Sequence, residues 1–338
     1  MSSFIFNPNS RLSEDEQKAL IQSLVNADGD KTSPQHFTPP PPQPFNLTAV
    51  NGSINENMPM RDYLNRNEIG SSTFAAIQRS ELALQYEIAN KGNGETKSYY
   101  ETGTAVHSYL EVWSAGVNLD DYLATLQIMP TFSRGTTDGV VAELEYYTKL
   151  LGVENFAPPK LIADKKVLAD ELRKECEKTS NFVSEKDADV IKGIAAELQR
   201  RHNETGILDW LKYAKSEVSL FWKHFKIRPD FLGKGLVVSI KTCAQIDNAH
   251  KDAKHKYGIK EAFYRYVLEQ VTGEPHETVF LFFETVAPYQ SRLIYVSPDT
   301  AAFYDQEVER YIAQVTKCLE TNIFKGYEAG LEFGCEII

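Results

Sequence analysis

Asp230 lies in the tetrapeptide RPDF, and nine residues later, after a glycine turn, come Ser239 and Lys241. Side chains alternate along a strand, so residues two apart share a face. A carboxylate and an ammonium therefore converge across a hairpin. Glu217 opens the preceding apolar segment and can point to the same end of a sheet. Hydrolysis of a phosphodiester needs a cation to neutralise developing charge and activate a water, and carboxylate oxygens are the ligands Mg²⁺ prefers. A lysine beside them can position that water or stabilise the charged transition state.

Positioning these groups requires a particular order of elements. Ser216 to Trp222, Ile227 to Leu232 and Leu236 to Lys241 are short, β-branched or aromatic segments separated by turns, and read as consecutive strands. Tyr257 to Thr272 then reads as an apolar and aromatic helix, Val279 to Thr285 and Arg292 to Val296 as two further strands, and Thr300 to Thr321 as a closing amphipathic helix. Upstream, Ser71 to Asn90 reads as one or two helices, Gly103 to Trp113 as another, and Lys165 to Leu211 as helical throughout, with Ser184 capping a helix that runs to Gln199. The expected fold is α/β with an α+β-like arrangement: a central mixed β-sheet flanked by helices, preceded by a helical N-terminal part.

The order of a glutamate, RPD, a short hairpin and x-x-K resembles the PD-(D/E)XK nuclease superfamily. GTAVHSYLE (103 to 111), SEVSLFW (216 to 222), KIRPDFLG (226 to 233), VVSIKTCAQI (237 to 246) and YGIKEAFYRYVLEQVTG (257 to 273) follow one another as in its exonuclease VIII (RecE-type) branch, related to RecB-like and lambda-exonuclease-like nucleases. VFLFFETVAPYQ adds to the likeness, which covers roughly residues 67 to 330.

The resemblance implies a nuclease-like core in which Asp230 is the central metal ligand, Glu217 a supporting carboxylate, His107 a metal-associated histidine and Lys241 the active-site lysine, with Tyr264 facing the substrate backbone. It implies Mg²⁺ as cofactor, with Mn²⁺ as an alternative, double-stranded DNA ends as substrate, a single-strand annealing protein as partner and self-assembly into an oligomer. Glu111, four residues after His107 on the same helix face, reads equally as a ligand or as a surface residue. Two departures stand out: Ser239 occupies the place of an acidic residue, and Lys260 that of a common glutamine. Serine supplies no negative charge, and even outer-sphere losses cost about 10–100-fold in metal affinity or activity. Glu261, Asp247 or Glu217 could supply the missing carboxylate. Alternatively the fold has lost cleavage and serves as a DNA-binding, recombination or regulatory scaffold.

Composition frames these readings. With 338 residues and 42% hydrophobic residues the chain can bury a substantial core, and its net charge of −11 argues against indiscriminate nucleic-acid binding. One local basic run, Lys251, Lys254, His255, Lys256, Lys260 and Arg265, reads either as a DNA track or as a solvated helix face. His202, His224, His250, His255 and His276 read as surface residues. Cys176, Cys243, Cys318 and Cys335 have no C-x-x-C spacing, which points away from zinc and iron–sulfur clusters. No apolar run approaches a membrane span, and the N-terminus lacks a signal pattern, so the expected location is the cytoplasm of a bacterium or phage-infected host. Residues 1 to 27 read as a short helical segment, with the helix at 13 to 25, residues 28 to 60 as a Pro/Asn-rich linker, and residues 61 to 338 as the nuclease-like domain. On that division, a chain without residues 1 to 57 keeps nuclease activity and loses any partner contact made by the N-terminal helix.

Overall fold

The structure is a computed structural model and describes residues 39–91, 98–153, 156–177, 182–201 and 206–326. The helix expected at 13 to 25, His202 and Cys335 lie outside the described residues.

The strands are β1 (Ser53–Asn55), β2 (Gln127–Met129), β3 (Phe182–Ser184), β4 (Lys215–Ser216), β5 (Ser219–Trp222), β6 (Phe225–Ile227), β7 (Phe231–Gly233), β8 (Leu236–Cys243), β9 (Glu277–Glu284) and β10 (Ser291–Tyr295). The longer helices are α1 (Glu81–Ala89), α2 (Ser98–Ser114), α3 (Thr137–Leu150), α4 (Ile162–Glu177), α5 (Glu185–Arg201), α6 (Gly258–Thr272) and α7 (Pro298–Thr321). A five-stranded sheet has the order β10-β9-β8-β7-β4, a three-stranded sheet the order β1-β5-β6, and β2 and β3 form a separate pair. Within the larger sheet β8 and β9 are parallel and the remaining pairs antiparallel. A parallel neighbour needs a long crossover, and α6 lies on that connection. The result is the mixed sheet flanked by helices that the pattern of apolar segments predicts.

The β7–β8 turn pairs Gly233 with Leu236 and places Gly235 at φ 71°, a backbone region open to glycine. Along β8 the alternation puts Val237, Ser239 and Lys241 on one face, with Val237 in the main core beside Ala262, Phe263 and Val267 of α6. That core is aromatic at its centre: Phe74 stacks on Phe263 at 4.3 Å and meets Phe225 edge-on at 6.0 Å. Each such fully buried side chain stabilises the fold by about 1.5–3 kcal/mol relative to exposure.

Several sequence expectations change. Each of the first two expected strands is divided: β4 and β5 separate at Glu217 to Val218, β6 and β7 at Arg228 to Asp230, and in both cases the chain leaves one sheet for the other. Pro229 contributes by removing a ladder donor. The region 165 to 211 is not helical throughout, because β3 interrupts it and pairs with β2; three residues are too few for alternation to be visible. Ser184 does cap α5, accepting from the Asp187 N–H at 3.0 Å. His276 is buried rather than exposed, its ring nitrogen 3.0 Å from the Glu274 carbonyl.

The largest change concerns the stretch read as a linker. From residue 39 onward part of it is packed: Phe45 and Leu47 lie against the core, the Val50 N–H donates to the Val271 carbonyl at 2.8 Å, and β1 pairs antiparallel with β5. Its prolines and asparagines hide this, since the strand is three residues long and binds mainly through its backbone. A chain lacking residues 1 to 57 is therefore expected to lose at least ~2 kcal/mol of stability from the missing apolar contacts and ladder. Urea denaturation of both chains tests this; equal midpoints and slopes would show that the segment contributes nothing.

Candidate active site

The site forms where the two sheets part. Glu217 sits at the break between β4 and β5 with φ 52°, a left-handed conformation that costs a non-glycine residue about 1–2 kcal/mol. Its N–H donates to the Asp230 carbonyl at 3.2 Å, so the two breaks are tied together. That kink turns the Glu217 carboxylate toward Asp230 and His107. Ligand atoms of His107, Glu217 and Asp230 all lie within 4.8 Å of one another, a group able to hold a metal ion. Two carboxylates and one imidazole are a donor set suited to a hard or borderline divalent cation. Each of the three is partly open, with side-chain exposures of 30% for His107 and 17% for Asp230 and Glu217.

Asp230 is the most heavily engaged. Its Oδ2 accepts from the Ile240 N–H at 2.6 Å and faces Lys241 Nζ at 3.4 Å, while Oδ1 is 3.3 Å from His107 Nδ1. Burial alone would raise its carboxyl, but the positive charges of Lys241 and His107 outweigh that and hold it well below the usual carboxylate range. Burial opposes the charged form of His107, yet Asp230 raises its imidazole above the ordinary value. Glu217 is pushed up, first by burial and then by the adjacent Asp230 charge, with Arg228 opposing through a 2.6 Å bond.

Ser239, the residue in the acidic position, is buried and donates its hydroxyl to Glu261 Oε2 at 2.8 Å. Glu261 is itself buried on α6, and its other oxygen lies 3.7 Å from Lys241 Nζ. Lys241 thus stands between two carboxylates, and its ammonium also lies 5.4 Å from the centre of the Tyr257 ring. Burial works against the lysine charge, but Asp230 and Glu261 outweigh it and raise its pKa. Of the three carboxylates proposed for the vacant place, Glu261 is the one brought against Ser239.

The other sequence candidates are placed differently. Glu111 is exposed and meets Ser216 at 3.5 Å, outside the three-residue group. Half-buried Tyr264 donates its hydroxyl to the Arg228 carbonyl at 3.3 Å, beside the RPD turn. In the basic run Lys256 is exposed with its ammonium 5.1 Å from the Tyr257 ring, so one ring adjoins both Lys241 and the basic stretch. Lys254 and Lys260 are half-buried, Lys254 within a π-helical turn at Asp252–Lys256 that directly precedes α6. Sequence assigned no role to Arg228 or Tyr257; Arg228 lies inside the quoted RPD motif, and its adjacency to Asp230 was the available signal.

Residues 70–330 match the family described as the PDDEXK-like domain of unknown function (DUF3799), and the chain belongs to that family. No curated protein matches it. Among solved structures, one from Eubacterium rectale, provisionally named an exonuclease, is 14% identical with a TM-score of 0.48, over 80% of this chain and 90% of that one. An alkaline exonuclease from Laribacter hongkongensis is 16% identical with a TM-score of 0.27, over 55% of this chain and 95% of that one. At these values neither likeness bears on activity. Among the described residues, no helix is long and apolar enough to cross a membrane.

The Ser239 to Glu261 contact leads to a stability prediction. Ser239→Asp would place a second buried carboxylate against Glu261, and an uncompensated buried charge costs about 3–5 kcal/mol. Chemical denaturation without metal is expected to show a loss of that order. A variant as stable as the wild type would mean that Glu261 does not occupy this position as a charged or hydrogen-bonded partner.

Proposed function

We propose that the protein is a Mg²⁺-dependent exodeoxyribonuclease, able to use Mn²⁺, that acts on double-stranded DNA ends in recombination or phage DNA metabolism. One observation carries the reading: Glu261 stands beside Ser239 and Lys241, so the carboxylate absent from the strand is supplied by α6. With it, Lys241 has a second carboxylate beside it despite the serine, outside the group of His107, Glu217 and Asp230.

In this reading His107, Glu217 and Asp230 hold the cation. A divalent ion there supplies Lewis acidity, neutralising charge on the scissile phosphate and lowering the pKa of a water. The Lys241 charge favours an ionised Asp230, and His107 would join it as a ligand in its neutral form. Lys241, kept protonated by Asp230 and Glu261, offers positive charge to the phosphate or orients the attacking water. Glu261 holds Lys241 on the side away from Asp230. Lys254, Lys256 and Lys260 provide positive charge for the DNA backbone beside the site, whereas Tyr264 acts on the RPD turn. The RecE-type branch, an annealing protein as partner, self-assembly and a cytoplasmic location in a bacterium or phage-infected host belong to the same reading, and their support is the order of sequence motifs.

The test is release of acid-soluble nucleotides from end-labelled linear duplex DNA, with Mg²⁺ and with Mn²⁺. Wild-type protein is expected to release nucleotides only with metal, Asp230→Ala to release none, and Lys241→Ala and Glu261→Gln to be slower by ~100-fold or more. Full activity in Glu261→Gln would remove Glu261 from the mechanism. Binding of DNA ends by the wild type without any release would favour the scaffold reading, in which the fold keeps its DNA groove and has lost cleavage.

A further inference from the structure

Arg228 makes contacts that the proposed chemistry does not use. Its side chain is only 11% exposed, and Nε donates to Glu217 Oε2 at 2.6 Å. Nη1 donates to the Met58 carbonyl at 2.8 Å and to the Ser219 hydroxyl at 2.9 Å, and the guanidinium carbon lies 5.6 Å from the centre of the Tyr63 ring. A planar guanidinium with its donors fixed in a fork holds a carboxylate in one orientation, which a flexible ammonium does less well. Met58 and Tyr63 belong to the stretch from β1 to Ile69, which runs along the three-stranded sheet as a strap. The strap is anchored at several points: β1 pairs with β5, Lys215 bonds Glu56 at 2.6 Å, and the buried Lys226 ammonium donates to the carbonyls of Tyr63, Leu64 and Arg66.

We propose that Arg228 is a positioning residue that fixes the Glu217 carboxylate for metal binding, and that the strap holds Arg228 through the Met58 carbonyl. Glu217 needs such a holder. It lies beside the like charge of Asp230, whose repulsion favours turning the carboxylate away. Arg228 opposes that by matching its charge and fixing one oxygen, which leaves the other oxygen for a cation. The segment that reads as a linker thereby becomes part of the site's support. This inference rests on the proposed metal-binding role of His107, Glu217 and Asp230.

The experiment is Mn²⁺ binding to the full chain, followed by titration calorimetry and by the electron paramagnetic resonance of free Mn²⁺, for wild type, Arg228→Met and Arg228→Lys, with circular dichroism to establish folding. Arg228→Met is expected to bind Mn²⁺ about 10–100-fold more weakly while remaining folded. Arg228→Lys restores the charge but not the fork, and is expected to recover part of that loss and remain several-fold weaker than wild type. A purely structural arginine would lower thermal stability and leave the affinity of the folded protein unchanged. If Arg228→Met does not fold, Arg228→Lys decides alone: affinity within twofold of wild type overturns the proposal. Absence of Mn²⁺ binding by the wild type overturns the metal reading and this inference together, whereas wild-type binding with unaltered affinity in both folded variants overturns this inference alone.

Discussion

Asp230 sets the terms for everything around it. Its carboxylate is largely withdrawn from water, with a second carboxylate, Glu217, close by and a third, Glu261, on the far side of Lys241. Negative groups at this density are tolerated only where positive charge and hydrogen bonds compensate them, because the desolvation penalty of each ion is several kcal/mol. The protein meets that requirement with Lys241 between Asp230 and Glu261, Arg228 on Glu217, His107 against one Asp230 oxygen, and the Ile240 N–H on the other, which Lys241 also faces. The site is therefore charge-compensated on its inner side, while His107, Glu217 and Asp230 keep some exposure on the other.

The backbone is arranged to serve this cluster. Two strands that could have run straight each break beside an acidic residue and change sheets, and the Glu217 N–H to Asp230 carbonyl bond ties the breaks together. Breaking them costs ladder hydrogen bonds and puts Glu217 in a left-handed conformation. In exchange, acidic side chains from two different segments arrive at one point. The aromatic core of Phe74, Phe225 and Phe263 joins the three-stranded sheet to α6.

Glu261 reaches the Ser239 and Lys241 face of β8 from a different element. The helix α6 packs on the face of β8 that carries Val237, Ser239 and Lys241. A glutamate in its first turn therefore projects to the point where a side chain at position 239 would otherwise end. Serine at 239 is small enough to leave that volume free, and its hydroxyl supplies a donor to the incoming carboxylate. Position 239 thus supplies a hydroxyl that pairs the buried Glu261 carboxylate.

Much of the fold was legible along the chain because the physics concerned is local. The short apolar runs of β8 and β9, the apolar stripes of α6 and α7, the Ser184 cap and the Gly235 turn all depend on neighbours within a few residues, and these elements stand close to where the sequence pattern puts them. The order of Glu217, Asp230 and Lys241 was equally readable, since hairpin geometry brings such positions together. What sequence left open was decided by contacts between distant segments. Glu261, Asp247 and Glu217 are equivalent candidates until the packing of α6 on β8 selects the first. Met58 and β1 carry no periodic signal, because three-residue strands and single carbonyl acceptors act through the backbone, which every residue shares. Arg228 and Tyr264 have the right residue types to meet DNA, but Arg228 bonds Glu217 and Tyr264 bonds the Arg228 carbonyl. A side chain's type limits which bonds it can form; only the tertiary structure determines which partner is within reach, because that distance is set by segments tens or hundreds of residues away.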